Sequence, residues 1–154
     1  MTQISNFVQV RTDGKHVPAG MTTAEMLALG WTPSKVLALQ WNAEGRAINA
    51  AGPYGIHGIV VAGGNFVAAI VDAEASATNT QLEIRSPDGS VHACLENSVA
   101  ALGREFKGCF QWFEPAVHPG IDKFDAVFQT EAEGAFRCEI DALEARVLSV
   151  VRTR

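Results

Sequence analysis

Apolar residues recur in short runs along almost the whole chain, and Gly, Pro, Asn or Asp interrupts them at close intervals. Runs with β-branched or aromatic content fall at about 4–11, 35–41, 46–50, 57–61, 65–71, 81–85, 90–95, 108–113, 124–130, 135–140 and 146–151, and each reads as a strand. Only 22–29, "TTAEMLAL", predicts a helix. There Thr22 or Thr23 can cap, Glu25 places an acid in the first turn where the macrodipole favours it, and Gly30 can end the helix in a left-handed conformation. Helices do not alternate with the strands, which disfavours a parallel α/β sheet. The expected fold is all-β, with residues 1–154 in a single domain of antiparallel hairpins and one short helix near 22–29.

The turns refine this picture. Asp13-Gly14, Glu44-Gly45, Asp88-Gly89 and Glu133-Gly134 each set an acid and a Gly between two apolar runs, where Gly takes the positive φ of a tight hairpin. In "QLEIRSPDGSVHACLE", residues 81–96, the signal is clearest. Gly45 and Gly89 are 44 residues apart and Gly89 and Gly134 are 45 apart; Gly58 with Gly103 and Gly63 with Gly108 repeat the 45-residue interval. That interval suits a four-stranded unit, so about three such units are expected.

Within 52–95, the pieces Gly58-Ile59-Val60-Val61, Gly64-Asn65, Ile70-Val71-Asp72 and Pro87-Asp88-Gly89 follow one another in an order that resembles a repeat of the NHL type of β-propeller. The preceding "KVLALQWNAEGRAINAAG" looks like the outer half of another blade, and its Trp41-to-Gly45 turn is similar to the Trp-x-x-Asp-Gly turns of WD40 proteins. A closed propeller has about four to eight blades and this length holds about three. The resemblance therefore implies a half-propeller closed by dimerisation. A β-trefoil, similar in length and strand count, is the alternative barrel.

Composition limits the function classes. Hydrophobic residues are 47% and charged residues 19%, which argues for a folded chain with apolar surface to spare for a partner. The net charge of -5 and the scattered Lys and Arg lack the basic stripe of a nucleic-acid binder. The N-terminus has no basic-then-apolar leader pattern, and the longest apolar stretch, "GIVVAGGNFVAAIV", is broken by Gly63, Gly64 and Asn65. A cytoplasmic protein without membrane contact is expected.

Candidate chemistry is sparse. Cys94, Cys109 and Cys138 lie far apart in apolar runs and read as small buried hydrophobes, and none of His16, His57, His92 and His118 belongs to a metal-binding pattern, so no metal and no cofactor is expected. Among the histidines, His118 in "PAVHPGID" has Asp122 four residues on, a spacing at which a turn can let a carboxylate orient an imidazole; His57 near Tyr54 is the second candidate. The Gly-rich "GPYGIHG" and "VAGGN" are not followed by a helix and so lack the dipole that receives a phosphate. Asp13, Glu44, Asp88 and Glu133 read as solvated turns rather than calcium ligands, which must converge.

Trp31, Trp41, Tyr54 and Trp112 are candidate ligand-binding residues, being large and partly polar. In "CFQWFE" the alternation puts Cys109, Gln111 and Phe113 on one face and Phe110 and Trp112 on the other, so both faces are expected to be buried, one against a second sheet or subunit. A homodimer or higher homo-oligomer follows. The expected function is a non-enzymatic binding or interaction module that takes a small molecule or a protein on a rigid β scaffold. The alternative is a small hydrolase or isomerase using a His/Asp pair in an aromatic-lined pocket.

Overall fold

The computed structural model describes residues 3–75 and 79–153. They form three antiparallel sheets. The first contains β1 (Ser5–Arg11), β2 (His16–Pro18), β3 (Val36–Ala43) and β4 (Arg46–Ala51) in the order β2-β1-β3-β4. The second is the meander β5 (Ile56–Val60), β6 (Val67–Asp72), β7 (Thr80–Arg85) and β8 (Val91–Leu95). The third is the meander β9 (Ser98–Ala101), β10 (Arg104–Glu114), β11 (Lys123–Thr130), β12 (Ala135–Asp141) and β13 (Arg146–Arg152), whose outer strands β9 and β13 come into contact, so that it curls toward a closed barrel.

The single helix, α1 (Thr23–Ala28), follows its sequence signals. Thr22 is the N-cap, and its hydroxyl accepts from the Glu25 N–H at 3.1 Å. All four acid-Gly turns close hairpins, at β1-β2, β3-β4, β7-β8 and β11-β12. Gly45, Gly89 and Gly134 stand at the last three, each with positive φ (72°, 90° and 86°), so their spacing marks one hairpin turn in each sheet, leading to an edge strand in the first two (β4 and β8) and between two inner strands in the third. The other two glycine pairs mark nothing shared. Gly58 lies in β5 and Gly103 in a turn; Gly63 lies in a turn and Gly108 in β10.

Two strands escaped the sequence pattern. β2 has three residues and ends on Pro18, and β9 has four, so neither is long enough to show a period. The expected alternation in 108–113 is also corrected. A bulge between Phe110 and Trp112 inserts one residue against β11 and shifts the phase, which turns both Phe110 and Phe113 toward the core and leaves Trp112 half-exposed. Burial on both faces is found instead in β11, buried throughout 124–128, and in β6. In β6, Val67 and Ala69 pack with Phe7, Leu39 and Trp41 of the first sheet, while Ala68 and Ile70 pack with Phe110, Phe128 and Phe136 of the third.

Side-chain bonds lock the layers in register. Trp41 Nε1 donates to the Pro87 carbonyl at 2.7 Å, Gln9 Oε1 accepts from the Gly58 N–H at 3.1 Å, and the Thr80 hydroxyl donates to the Phe110 carbonyl. No helix among the described residues is long and apolar enough to cross a membrane.

Candidate functional site

The candidate catalytic residues lie on two segments, His118 and Asp122 on the loop before β11 and His57 in β5. His118 is exposed on the 115–122 loop. Asp122 takes φ +64° and ties three segments together: its N–H donates to the Ala62 carbonyl at 2.9 Å, its carbonyl accepts from the Ala142 N–H at 2.7 Å, and its carboxylate accepts from Asn65 Nδ2 at 3.4 Å. The loop that carries His118 is pinned from below by Asp125, a residue that the sequence did not single out. Asp125 Oδ2 accepts from Arg137 Nε at 2.8 Å and from the Val117 N–H at 3.3 Å, and Arg137 also donates to the Pro115 carbonyl.

His57 lies where β5 meets β10. Its ring stands edge-on to Phe113 at 5.6 Å between centroids, and Nε2 is buried with no partner among the described residues. Burial holds the imidazole pKa below its ordinary value. The Asp72 carboxylate and the Gln111 backbone pull the other way with less effect. Asp72 itself is paired to Lys35 Nζ at 3.4 Å.

The four aromatic candidates stand on different elements. Trp41 is 1% exposed and packs in the core with Phe7; Trp31, after α1, lies beside the Arg11 guanidinium and the Lys15 ammonium; Tyr54 is exposed in the β4-β5 turn; and Trp112 hydrogen-bonds Glu114 on the outer side of β10. Cys109 and Cys138 are buried, but Cys94 is exposed on β8, contrary to expectation, because β8 is an edge strand. Burial pushes the Cys138 thiol up to about 12, and burial also raises Cys94, so neither is poised as a thiolate. Among the described residues, no three His, Cys, Asp or Glu side chains are grouped to hold a metal ion.

Two surface features do have the character of a binding site. The first is a polar hollow of about 460 Å3 bordered by Asn79, Asn97, Lys107, Gln111, Gln129 and Glu131; Asn97 Nδ2 donates to the Thr80 carbonyl at 3.0 Å, and its Oδ1 is buried with no partner among the described residues. The second is the outer face of the first sheet. Residues paired directly across strands share a face, and Leu39 and Trp41 point into the core, so the rows His16–Val10–Ala38–Ala51, Pro18–Val8–Gln40–Asn49 and Asn42–Ala47 point away from it. Not one of these residues is Asp, Glu, Lys or Arg, although the chain has 12 basic and 17 acidic residues.

On that face Gln40 Nε2 donates to Asn49 Oδ1 across the β3-β4 ladder at 3.1 Å, and Asn6, Gln40, Asn42 and Asn49 border a hollow of about 350 Å3 together with Val8, Trp41 and Ala47. Surfaces that stay in water usually carry Lys and Glu, whereas the centres of protein interfaces are depleted in them. Sequence reasoning passed over this face because its residues are individually bland and lie on four strands. The signal that could have found it is the alternation itself: the outward positions of 36–43 and 46–51 read Ala, Gln, Asn, Ala, Asn, Ala.

Fold and site together define an all-β scaffold of three antiparallel sheets with one open, uncharged sheet face. The chain is similar to a chain of the solved structure "Structure of Tne2 in complex with Tni2", with 26% sequence identity and a TM-score of 0.93, over 98% of this chain and 99% of that chain. No protein-family model matches the chain, and comparison with curated proteins gave no match.

Proposed function

We propose that the protein is a non-enzymatic interaction module that binds another protein through its β scaffold. The observation that carries this reading is the similarity, over nearly the whole length of both chains, to a member of a two-protein complex. The uncharged outer face of the first sheet supports it, since such a surface suits burial against a partner better than exposure to water.

The reading as a small hydrolase or isomerase, using His118 with Asp122 or else His57, has less support: His118 is exposed on its loop, and the Asp122 carboxylate accepts from Asn65. The His57 Nε2 that would exchange a proton is shut away from solvent, and Asp72, the nearby acid, is engaged with Lys35. Self-association also has less support than a heterologous partner, because the bulge in β10 directs Phe110 and Phe113 into the chain's own core.

The test is a titration by calorimetry and light scattering. The probe is a protein from the same source that is related to the other member of the Tne2–Tni2 pair. A stoichiometric complex is expected; separate elution with no heat of binding would dismiss the interaction reading.

A further inference from the structure

Sheet edges present unpaired N–H and C=O groups, and proteins guard them with short strands, proline, bulges, charges or covering segments. Five of the edges here are guarded. β2 is three residues long and ends on Pro18; β5 lies against the first sheet, with its Gly58 N–H held by Gln9; β8 is bulged opposite Ile84 and Arg85, and its His92 ring contacts the Leu143 carbonyl at 3.0 Å; β9 and β13 face each other.

β4 is the exception. It pairs with β3 through a continuous register from Ala43↔Arg46 to Ala38↔Ala51, without a bulge or a proline, and its one charge is Arg46 at its beginning. The direction of its free groups follows from the ladder. Gly52 N–H donates to the Leu37 carbonyl at 2.8 Å, which makes 37↔52 a hydrogen-bonded pair. In an antiparallel ladder such pairs alternate with pairs whose groups point away, so Ala47, Asn49 and Ala51 direct both N–H and C=O out of the sheet. All three residues are exposed, and no backbone or side-chain bond among the described residues reaches those groups.

Hollows lie on both sides of this edge. On the core side, one of about 240 Å3 separates Ile48 and Arg46 from Pro87 and Asp88 of the β7-β8 hairpin; on the outer side, the carboxamide hollow of about 350 Å3 begins at Ala47 and Asn49. A strand laid along β4 would send alternate side chains toward each.

We propose that β4 is the docking edge for a heterologous partner protein, which adds one extended segment to the first sheet and covers its uncharged outer face. The occupant is an uncharged strand whose outward residues are polar or small, matching Ala47, Asn49 and Ala51 on β4. The backbone supplies the affinity and the two hollows the selectivity, as in other strand-addition complexes. This rests on the protein-binding reading. A foreign protein is preferred to a second copy because the similar chain was solved bound to a different protein and because the net charge of -5 makes copies repel.

The experiment titrates the same related counterpart protein against the wild type, Ala47→Lys, Asn49→Pro and the control Leu27→Lys on exposed α1, with circular dichroism confirming the fold of each. Ala47→Lys guards the edge without touching the β3 ladder, and it decides the matter if Asn49→Pro fails to fold. Binding by both edge variants should weaken roughly tenfold or more while the control binds as wild type. Amide exchange at Ala47, Asn49 and Ala51 should slow in the complex. Edge variants that bind like wild type would overturn the docking site and leave the protein-binding reading standing, whereas a wild type that does not bind removes both. A wild-type dimer that Ala47→Lys returns to a monomer would make the occupant a second copy and overturn the proposal.

Discussion

Gly108 shows how much a single residue can hide. A Cβ built there would stand 1.9 Å from the Gln129 carbonyl oxygen of the neighbouring strand, so only glycine lets β10 and β11 approach this closely. Gly134, by contrast, takes φ +86° in open space, where the objection to a side chain is conformational and costs about 1–2 kcal/mol. We therefore expect Gly108→Ala to lose about 3 kcal/mol in denaturant unfolding and Gly134→Ala clearly less. Equal losses would mean that the approach of the two strands is not what Gly108 serves. In the sequence the two glycines look alike. The turn glycine is legible because an acid precedes it between apolar runs, while the strand glycine depends on an oxygen 21 residues away.

At the scale of elements, hairpins and helix were readable because their causes are local. The cap at Thr22, the acid-Gly turns and the alternation in 80–85 act over a few residues. The joining of elements was not readable. The Pro87-Asp88-Gly89 turn, which stands out in the chain as a hairpin tip, is also the point where the second sheet docks on the first: Pro87 accepts the Trp41 indole N–H, and the Cβ position of Gly89 lies 2.7 Å from Ile48 Cγ2. Trp41 is thus a core residue with a polar anchor, and it also borders the carboxamide hollow of the first sheet. Trp41→Phe keeps an aromatic ring but loses the pyrrole part of the indole with its N–H, leaving the half-buried Pro87 carbonyl without this donor. A loss of about 1–2 kcal/mol is expected in thermal or chemical unfolding. A Trp41→Phe protein as stable as wild type would mean that packing alone holds the hairpin.

For the whole molecule, the junction of the three sheets is the sensitive place. His57 of β5 sits under Phe113 of β10, with Asp72 of the second sheet and Lys35 at the entry to β3 as the charges named near it. Because burial lowers its pKa in the fold, the unfolded chain takes up the proton first as pH falls. The full stability holds above the unfolded value of about 6.5 and drains away as pH falls from there through the folded value. His57→Gln should accordingly show a smaller drop in Tm between pH 7.5 and pH 5 than wild type. Identical drops would place the acid sensitivity elsewhere.

The sequence by itself determined the all-β class, the capped helix and the four acid-Gly hairpins, because each is set by propensities and periods within a few residues. Tertiary structure alone decided which strands became edges, that β6 and β11 rather than β10 are buried on both faces, that a bulge reverses the alternation at Gln111, and that small, polar and apolar residues from four strands merge into one face without Asp, Glu, Lys or Arg. Those outcomes depend on contacts between residues far apart in the chain. An alanine or asparagine carries no local sign of whether its outward neighbour will be water, another strand or a partner.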